Sequence, residues 1–492
     1  MVPFTSLQLD RGSDVSLHRQ LYEELRAAVL AGRLSPGARL PSTRTLAEEL
    51  GISRNTAASA FDQLLAEGYL EGKVGSGTYV AKCLPEELLH VRTKPRRSVP
   101  DPAPAARLSR RGKVLATTPV CGSPDTGVSQ AFRPGVPALD AFPFDLWARI
   151  AARIMRRPAA GLFSYGEAGG YGPLRQAIAE YLRAARGVNC STHQVIVTAG
   201  SQQAISLAAS LLLDPGDEAW VEDPGYMGAR GAMLAAGIRP VPVPVDAEGL
   251  SLAEGELRAP DARMVYCSPS HQYPLGVTMS LGRRMALLDW ARRKSSWIVE
   301  DDYDSEFRYR GRPLAALQGL DTAGRVVYTG TFSKVLFPAL RLGYMVVPES
   351  LVDAFISARG LSDRHSPSIE QAIVAEFLTE GHFARHVRRM RALYEERQDT
   401  LVTVVHRELA GAIEVTSHEA GMHLVGWLPK GASDGKASAR ALASGVTAPA
   451  LSLYSIRPGP PPGLLLGYAA LNGRQIRDGV RKLASTMLDL RE

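Results

Sequence analysis

The stretch Arg92–Lys113, RTKPRRSVPDPAPAARLSRRGK, sets the first limit on how this chain can fold. Its proline, alanine and arginine content offers too little apolar surface to bury a core. One continuous packed body cannot run through it, so it reads as an extended, semi-rigid linker. It also holds 8 basic residues and 1 acidic residue, which equals the net charge of +7 for the whole chain. Residues 1–83 carry 9 residues of each sign, so the charge excess is confined to the connector. Two readings of it stay open: a solubilising tether, or a basic strap along nucleic-acid phosphates that adds salt-dependent affinity without sequence choice. The expected division is a small unit at 1–83, a linker at 84–125 and a large unit at 126–492.

The remaining composition excludes several classes. At 45% hydrophobic and 22% charged, the chain is not disordered throughout. No apolar run approaches the ~20 residues of a membrane-spanning helix. The first residues lack the basic and apolar blocks of a secretory signal, so a cytoplasmic location is expected. Cys83, Cys121, Cys190 and Cys267 are dispersed. They suggest neither a disulfide framework nor a metal site and read as buried or partly buried thiols in a reducing compartment.

In the small unit, Leu17, Leu21, Leu25, Ala28 and Val29 fall on one helical face. Pro41-Ser42 starts a second short helix with Leu46, Ala47 and Leu50 as its apolar face, and Gly51 stops it. Ser53 can cap a third helix with Ala57, Phe61, Leu64 and Leu65 inside. Tyr69–Glu71 and Thr78–Val80 flank the segment GKVGSG and read as a β-hairpin with a glycine-rich tip. Helix, turn, helix and hairpin in this order make an α+β winged helix-turn-helix. Its third helix would present Arg54, Asn55, Thr56 and Ser59 to base edges and phosphates in the major groove. Arg44 would lie near the backbone, and Gly75 and Ser76 at the tip would let backbone N–H groups approach it. A small protein-interaction unit with a solvated polar face is the alternative, and its neutral charge agrees with that.

The large unit alternates strands and helices, an α/β pattern. Val195–Thr198, Ala219–Glu222, Met264–Cys267, Trp297–Glu300 and Val326–Thr329 are candidate strands, each followed by a polar or glycine-containing loop. Ligands of doubly wound sheets bind beyond the carboxyl ends of such strands. Lys334 follows Thr329-Gly330-Thr331-Phe332-Ser333, with Arg341 seven residues on. A lone lysine is ordinarily a solvated side chain, but here it stands between hydroxyls and an arginine that can cup a phosphate. The run EDDYDSEF at 300–307 supplies carboxylates at a strand end, and one of them can hold a pyridine nitrogen protonated. Thr198-Ala199-Gly200-Ser201-Gln202 is a strand–glycine–helix junction whose N–H groups suit a phosphate.

The head, from LHRQLYEELRAAVL through LPSTRTLA and SRNT to the hairpin, resembles the GntR-type winged helix. The body resembles fold-type I pyridoxal-phosphate enzymes of the class I/II aminotransferase group, with their α/β fold and mixed, mostly parallel sheet. The segments YGEAGGYG, DPGY, SHQYP, EDDYDSEF and LLLGYA make the pair similar to the MocR/GabR regulators. The resemblance implies pyridoxal 5'-phosphate as cofactor, held on Lys334 as an internal aldimine. Asp301 pairs with the pyridine nitrogen, Tyr303 bonds the phenolic oxygen and Tyr226 stacks on the ring. Gly200, Ser201, Gln202, Thr331, Ser333 and Arg341 hold the phosphate, and Tyr165 reaches the phosphate of a second subunit in a homodimer. On the head, Ser42 and Arg44 join Arg54, Asn55, Thr56 and Ser59 in contacting a double-stranded operator.

Two positions depart from the related patterns. Many aminotransferases bind a substrate carboxylate through an arginine just before an apolar-Gly-aromatic segment, and Leu464–Tyr468 has none. The γ-aminobutyrate-responsive relative has an arginine two residues after its stacking tyrosine, where this chain has Gly228. The reading that follows is a transcriptional regulator sensing an amine, an amino acid or pyridoxal phosphate itself. An active aminotransferase with an accessory head and a DNA-binding module with a vestigial body are the alternatives.

Overall fold

Serine side chains decide where two helices of the first unit begin. The computed structural model describes residues 9–73, 77–84, 107–118, 131–157, 159, 161–311, 314–459 and 461–487. They fall into two compact units, Met1–Ala106 and Arg107–Glu492. In the first, α1 spans Leu17–Leu30, α2 Thr43–Leu50 and α3 Arg54–Ala66. The Ser42 hydroxyl accepts from the Thr45 N–H at 3.1 Å, and Ser53 from that of Thr56 at 3.0 Å. Each such cap contributes about 1 kcal/mol. Gly51, at φ 63°, takes the left-handed conformation that ends α2.

Leu21, Leu25, Leu46, Phe61 and Leu64 are at most 2% exposed and form the small core. Each contributes roughly 1.5–3 kcal/mol by leaving water. Leu17 and Leu65, expected inside, sit only half-buried at its rim. β1 (Leu70–Lys73) pairs antiparallel with β2 (Gly77–Val80), with Lys73 opposite Gly77. The hairpin is therefore longer than expected, because Gly72 and Lys73 are paired in the strand. Gly75 and Ser76 lie outside the described residues.

The linker is not extended throughout. Ser109 accepts from the Gly112 N–H at 2.9 Å and starts a helix at Arg110–Thr117. None of its residues is buried, so a local cap overrides a composition that favours extension.

In the body the strands are β3 (Val195–Thr198), β4 (Glu218–Asp223), β5 (Arg239–Asp246), β6 (Gly249–Leu250), β7 (Met264–Cys267), β8 (Trp297–Asp302), β9 (Val326–Thr331) and β10 (Gly343–Val346). They form one sheet in the order β3-β10-β9-β8-β7-β4-β5-β6. The pairs from β9 through β5 are parallel, while β10 runs against both its neighbours. Both faces are covered, as the near-continuous apolar strands require. Alternate residues enter different cores: Val195, Val197 and Tyr344 go to one, Ile196 and Met345 to the other.

Strand β5 carries Pro240, Pro242 and Pro244, which obscures it in the sequence. Alternation puts the three missing donors on one edge. That edge meets only the two-residue β6, so β4 keeps its full ladder. A second sheet pairs β11 (His423–Trp427) with β12 (Gly463–Gly467). Among the cysteines, Cys190 and Cys267 are buried but Cys83 is exposed, contrary to its expected burial; Cys121 lies outside the described residues. No helix among the described residues is long and apolar enough to cross a membrane.

Candidate functional site

The carboxyl ends of β3, β4, β7, β8 and β9 lie at one edge of the large sheet. Pairing fixes this: Thr198 of β3 and Thr331 of β9 both face Gly343 of β10, and Asp301 of β8 faces Thr329 of β9. The residues expected to act on a cofactor lie in the last residues of these strands or in the segments after them, Tyr165 excepted.

Lys334 lies in the short helix Phe332–Val335 after β9. Its Nζ donates to the carbonyl of Gly135 at 2.8 Å. At Gly135, with φ 73°, an added Cβ would stand 2.7 Å from that Nζ, so a side chain there would displace the amine. Asp301 is 4% exposed and accepts from the Tyr266 hydroxyl at 2.6 Å and the Thr329 hydroxyl at 3.2 Å. Burial pushes its carboxyl up to about 6, against the pull of these two donors. The Tyr303 hydroxyl lies 3.0 Å from His271 Nδ1. Tyr226 precedes the helix Met227–Ala236, and its hydroxyl reaches Gln202 at 3.4 Å.

A second group surrounds the start of the helix Ser201–Leu212. Gly200 is its first flanking residue, at φ 117°. An added Cβ there would lie 3.8 Å from Arg341 Nη2, so the guanidinium stands beside this helix start. The Gln202 amide donates to the Gly228 carbonyl at 2.9 Å. Thr331 accepts from the Ser333 N–H at 3.1 Å, which occupies its hydroxyl in a cap. Ser333 is 8% exposed, and its buried Oγ has no partner among the described residues. A buried hydroxyl without a partner is costly in a native fold, and a phosphate oxygen would satisfy it. With the guanidinium, the helix start and the buried acid, these donors fit a phosphorylated pyridine.

Tyr165 does not join this group. It is 77% exposed and packs under the Arg364 guanidinium, 4.3 Å from the ring centre.

Of the two departures, the one at Gly228 has a structural cause. A Cβ at Gly228 would lie 2.4 Å from Gln202 Oε1 and from the Tyr226 ring. Gly228 accepts no side chain as packed. At the other, buried Leu464, Leu465 and Leu466 fill the stretch before Gly467.

Burial disfavours the charged form of the acids beneath the site. Glu222 is 3% exposed, and burial raises its carboxyl to about 8, although the Ser268 N–H and Gln272 amide favour the charged form. An unfolded glutamate titrates near ~4.3. The folded chain thus binds the extra proton between these values. The stability this confers is complete below the unfolded value and lost as pH rises through about 8. Glu222→Gln removes this term. Its unfolding free energy is expected to fall less steeply than the wild type's between pH 5 and 8, measured by urea unfolding. Parallel curves would count against the assignment.

On the head, Arg54, Asn55 and Ser59 are exposed along the start of α3. The Thr56 hydroxyl lies 2.9 Å from Ser53 Oγ and is taken up by the cap. Ser42 likewise caps α2, and Arg44 pairs with Glu48 at 3.1 Å on the open surface. Arg39 and Lys73 were not identified from sequence. Arg39 lies against Gly77, and Lys73 stands 5.0 Å over the Tyr79 ring. Both add positive charge beside the hairpin.

Residues 141–455 match the family model for aminotransferase class I and II, and residues 17–80 that for bacterial regulatory proteins of the gntR family. The chain is 45% identical to the probable rhizopine catabolism regulatory protein MocR of Rhizobium meliloti. That similarity covers 98% of this chain and 96% of the relative. The chain belongs to the MocR/GabR-type regulators. It is also 33% identical to the pyridoxine biosynthesis transcriptional regulator PdxR of Corynebacterium glutamicum, over 82% of this chain and 83% of that one. The crystal structure of LysN, the α-aminoadipate aminotransferase of Thermus thermophilus, complexed with N-(5'-phosphopyridoxyl)-L-leucine, superposes with a TM-score of 0.69. It is 32% identical and covers 74% of this chain and 93% of that chain.

In this MocR-type body, sequence reasoning missed Gly135, Tyr266, His271 and Asp304. The Arg-Pro-Gly turn at 133–135 is a signal that could have drawn attention to the first. The others are ordinary residues until the sheet brings them together.

Proposed function

We propose that this MocR-type regulator binds a double-stranded operator with the first turn of α3 and senses an amine, an amino acid or pyridoxal phosphate itself through a cofactor on Lys334. The observation that carries the cofactor half is the convergence of a half-buried lysine, the buried Asp301 and the partnerless Ser333 Oγ at one sheet edge. Pyridoxal 5'-phosphate, when bound, supplies an aldehyde for amine capture and a ring that accepts electrons. Lys334 holds it covalently, and Asp301 keeps the ring nitrogen protonated. Tyr303 donates to the phenolic oxygen and Tyr226 covers the ring. Gly200, Ser201, Gln202, Thr331, Ser333 and Arg341 receive the phosphate. The phosphopyridoxyl ligand of the Thermus enzyme supports a cofactor of this class.

Similarity to the MocR relative runs through both units, whereas the 2-aminoadipate transaminase of Thermus thermophilus matches 73% of this chain. Regulation is therefore the favoured reading over turnover. The closed position at Gly228 supports an effector that needs no arginine there. Two copies in the cytoplasm would present two α3 helices to two half-sites, with the exposed Tyr165 reaching the partner's phosphate. An effector couples to DNA only by binding the two arrangements of the heads with different affinity.

Arg54→Ala is expected to weaken operator binding by about 1–3 kcal/mol, as for a guanidinium reading a base. Gel-shift titration with the natural upstream DNA checks this, and unchanged affinity would remove Arg54 from the interface. Spectral titration of the reconstituted protein with a panel of amines, alongside footprinting, identifies the effector class.

A further inference from the structure

Asp304 is 1% exposed, and its two carboxylate oxygens lie 3.1 and 3.0 Å from the same atom, His271 Nδ1. The Tyr303 hydroxyl lies 3.0 Å from that nitrogen as well. One nitrogen facing three oxygens settles where the hydrogens are. A carboxylate only accepts, so Nδ1 must carry a hydrogen whether the imidazole is neutral or charged. Nδ1 then has no lone pair to accept the phenol's hydrogen. Tyr303 can stand beside it only as a further acceptor, and its own hydrogen must point elsewhere.

The imidazole is held so that this arrangement persists. His271 is 3% exposed, between the rings of Tyr303 and His423, at centroid distances of 6.0 and 5.7 Å. A Cβ at Gly421 would lie 2.3 Å from the ring, and one at Gly276 would lie 3.2 Å from its Nε2. Both glycines leave the space that the imidazole fills. Its Nε2 is buried with no partner among the described residues, so no bond on that side favours the opposite tautomer. The charged and titratable groups facing Tyr303 are Asp304, Tyr273, Asp301 and Glu222, with His271 in contact. Lys334 and His418 act on the adjoining His423. Burial and the surrounding acids keep Tyr303 a phenol, able to donate.

We infer that Asp304 and His271 form a tautomer lock that turns the Tyr303 proton toward the cofactor's phenolic oxygen. Both are positioning residues that act through Tyr303. The inference rests on the role given to Tyr303 under the proposed function. A donor at that oxygen stabilises its negative charge; without the donor, the oxygen holds a proton to higher pH. In Asp304→Asn the carboxylate no longer dictates a hydrogen on Nδ1, so Nδ1 can accept from Tyr303 and withdraw it from the cofactor.

The test is the pH titration of visible absorbance in the full-length chain reconstituted with pyridoxal phosphate. Asp304→Asn is expected to raise the midpoint by about 1 pH unit, the size of one charge-assisted hydrogen bond. Tyr303→Phe should shift it in the same direction, and Asp304→Asn should add nothing in the Tyr303→Phe background. Asp304→Ser, which also removes the carboxylate and leaves the imidazole in place, is the second variant should Asp304→Asn fold poorly, and its midpoint should also rise. A normal visible band with an unmoved midpoint in these variants would overturn the lock alone. So would an Asp304→Asn shift of equal size with and without the Tyr303 hydroxyl. A wild-type chain that develops no visible band would overturn the cofactor reading, and this inference with it.

Discussion

Lys334→Ala is expected to abolish covalent capture of pyridoxal phosphate. Borohydride reduction of the reconstituted wild type should leave a pyridoxyl group on the peptide that contains Lys334, and none anywhere in the variant. The body's other described lysines, Lys113, Lys294, Lys430, Lys436 and Lys482, are all exposed on the surface. Only Lys334 is half-buried beside a carboxylate that can hold a ring nitrogen and a cup of phosphate donors. Its amine is also held in place before any ligand arrives, by the carbonyl of Gly135 at 2.8 Å. A positioned amine loses little freedom on forming a covalent bond, so the site favours it over flexible lysines by proximity. The same variant separates regulation from attachment. If the effector acts through the lysine-bound cofactor, operator affinity in Lys334→Ala should no longer respond to it. Label on an exposed lysine in place of Lys334, or an effector response surviving in the variant, would be the contrary result.

Most residues that chemistry marks were legible in the sequence because they lie at or after the end of a strand of buried apolar residues. Val326–Thr329 announces β9, and Lys334 must then lie beyond its carboxyl end. The head was legible for a similar reason: Ser42 and Ser53 are caps, and caps are local. What stayed hidden depends on contacts distant in sequence. Tyr266 reaches Asp301 because β7 and β8 are neighbours, and no local pattern states that order. His271 and Asp304 are separated by 33 positions and meet only when two strand-end loops face each other. Strand β5 was masked by its three prolines, whose lost donors fall on an edge only the folded sheet defines. The linker helix was missed because a single serine cap outweighed the surrounding composition.

The acid run at 300–307 hides a division of labour that predicts the largest stability effect. Asp301 faces the site, while Asp302 points to the opposite side of β8. There it is 5% exposed and pairs with Arg186, which is 6% exposed. The guanidinium donates to Asp302 at 2.8 Å, to the Leu314 carbonyl at 2.6 Å and to Ser270 Oγ at 2.8 Å. Burial works against its charge, but Asp302 and the neighbouring acids outweigh this and hold the arginine protonated. The Tyr328 hydroxyl also donates to Asp302, at 2.7 Å, while the acid's other oxygen has no partner among the described residues. Arg186→Met would leave that carboxylate buried with a single donor, close to Glu300 and Glu306. The expected cost is about 3–5 kcal/mol, the price of an uncompensated buried charge. All five tryptophans lie in the body, at positions 147, 220, 290, 297 and 427, so tryptophan fluorescence in urea follows this unit without signal from the head. Removing the acid as well, in Arg186→Met/Asp302→Leu, should recover at least half of the loss, since no charge is then left to desolvate. A single variant within about 1 kcal/mol of wild type would mean that water screens the pair. A double variant no better than the single would mean that the arginine acts through Ser270 and Leu314 instead.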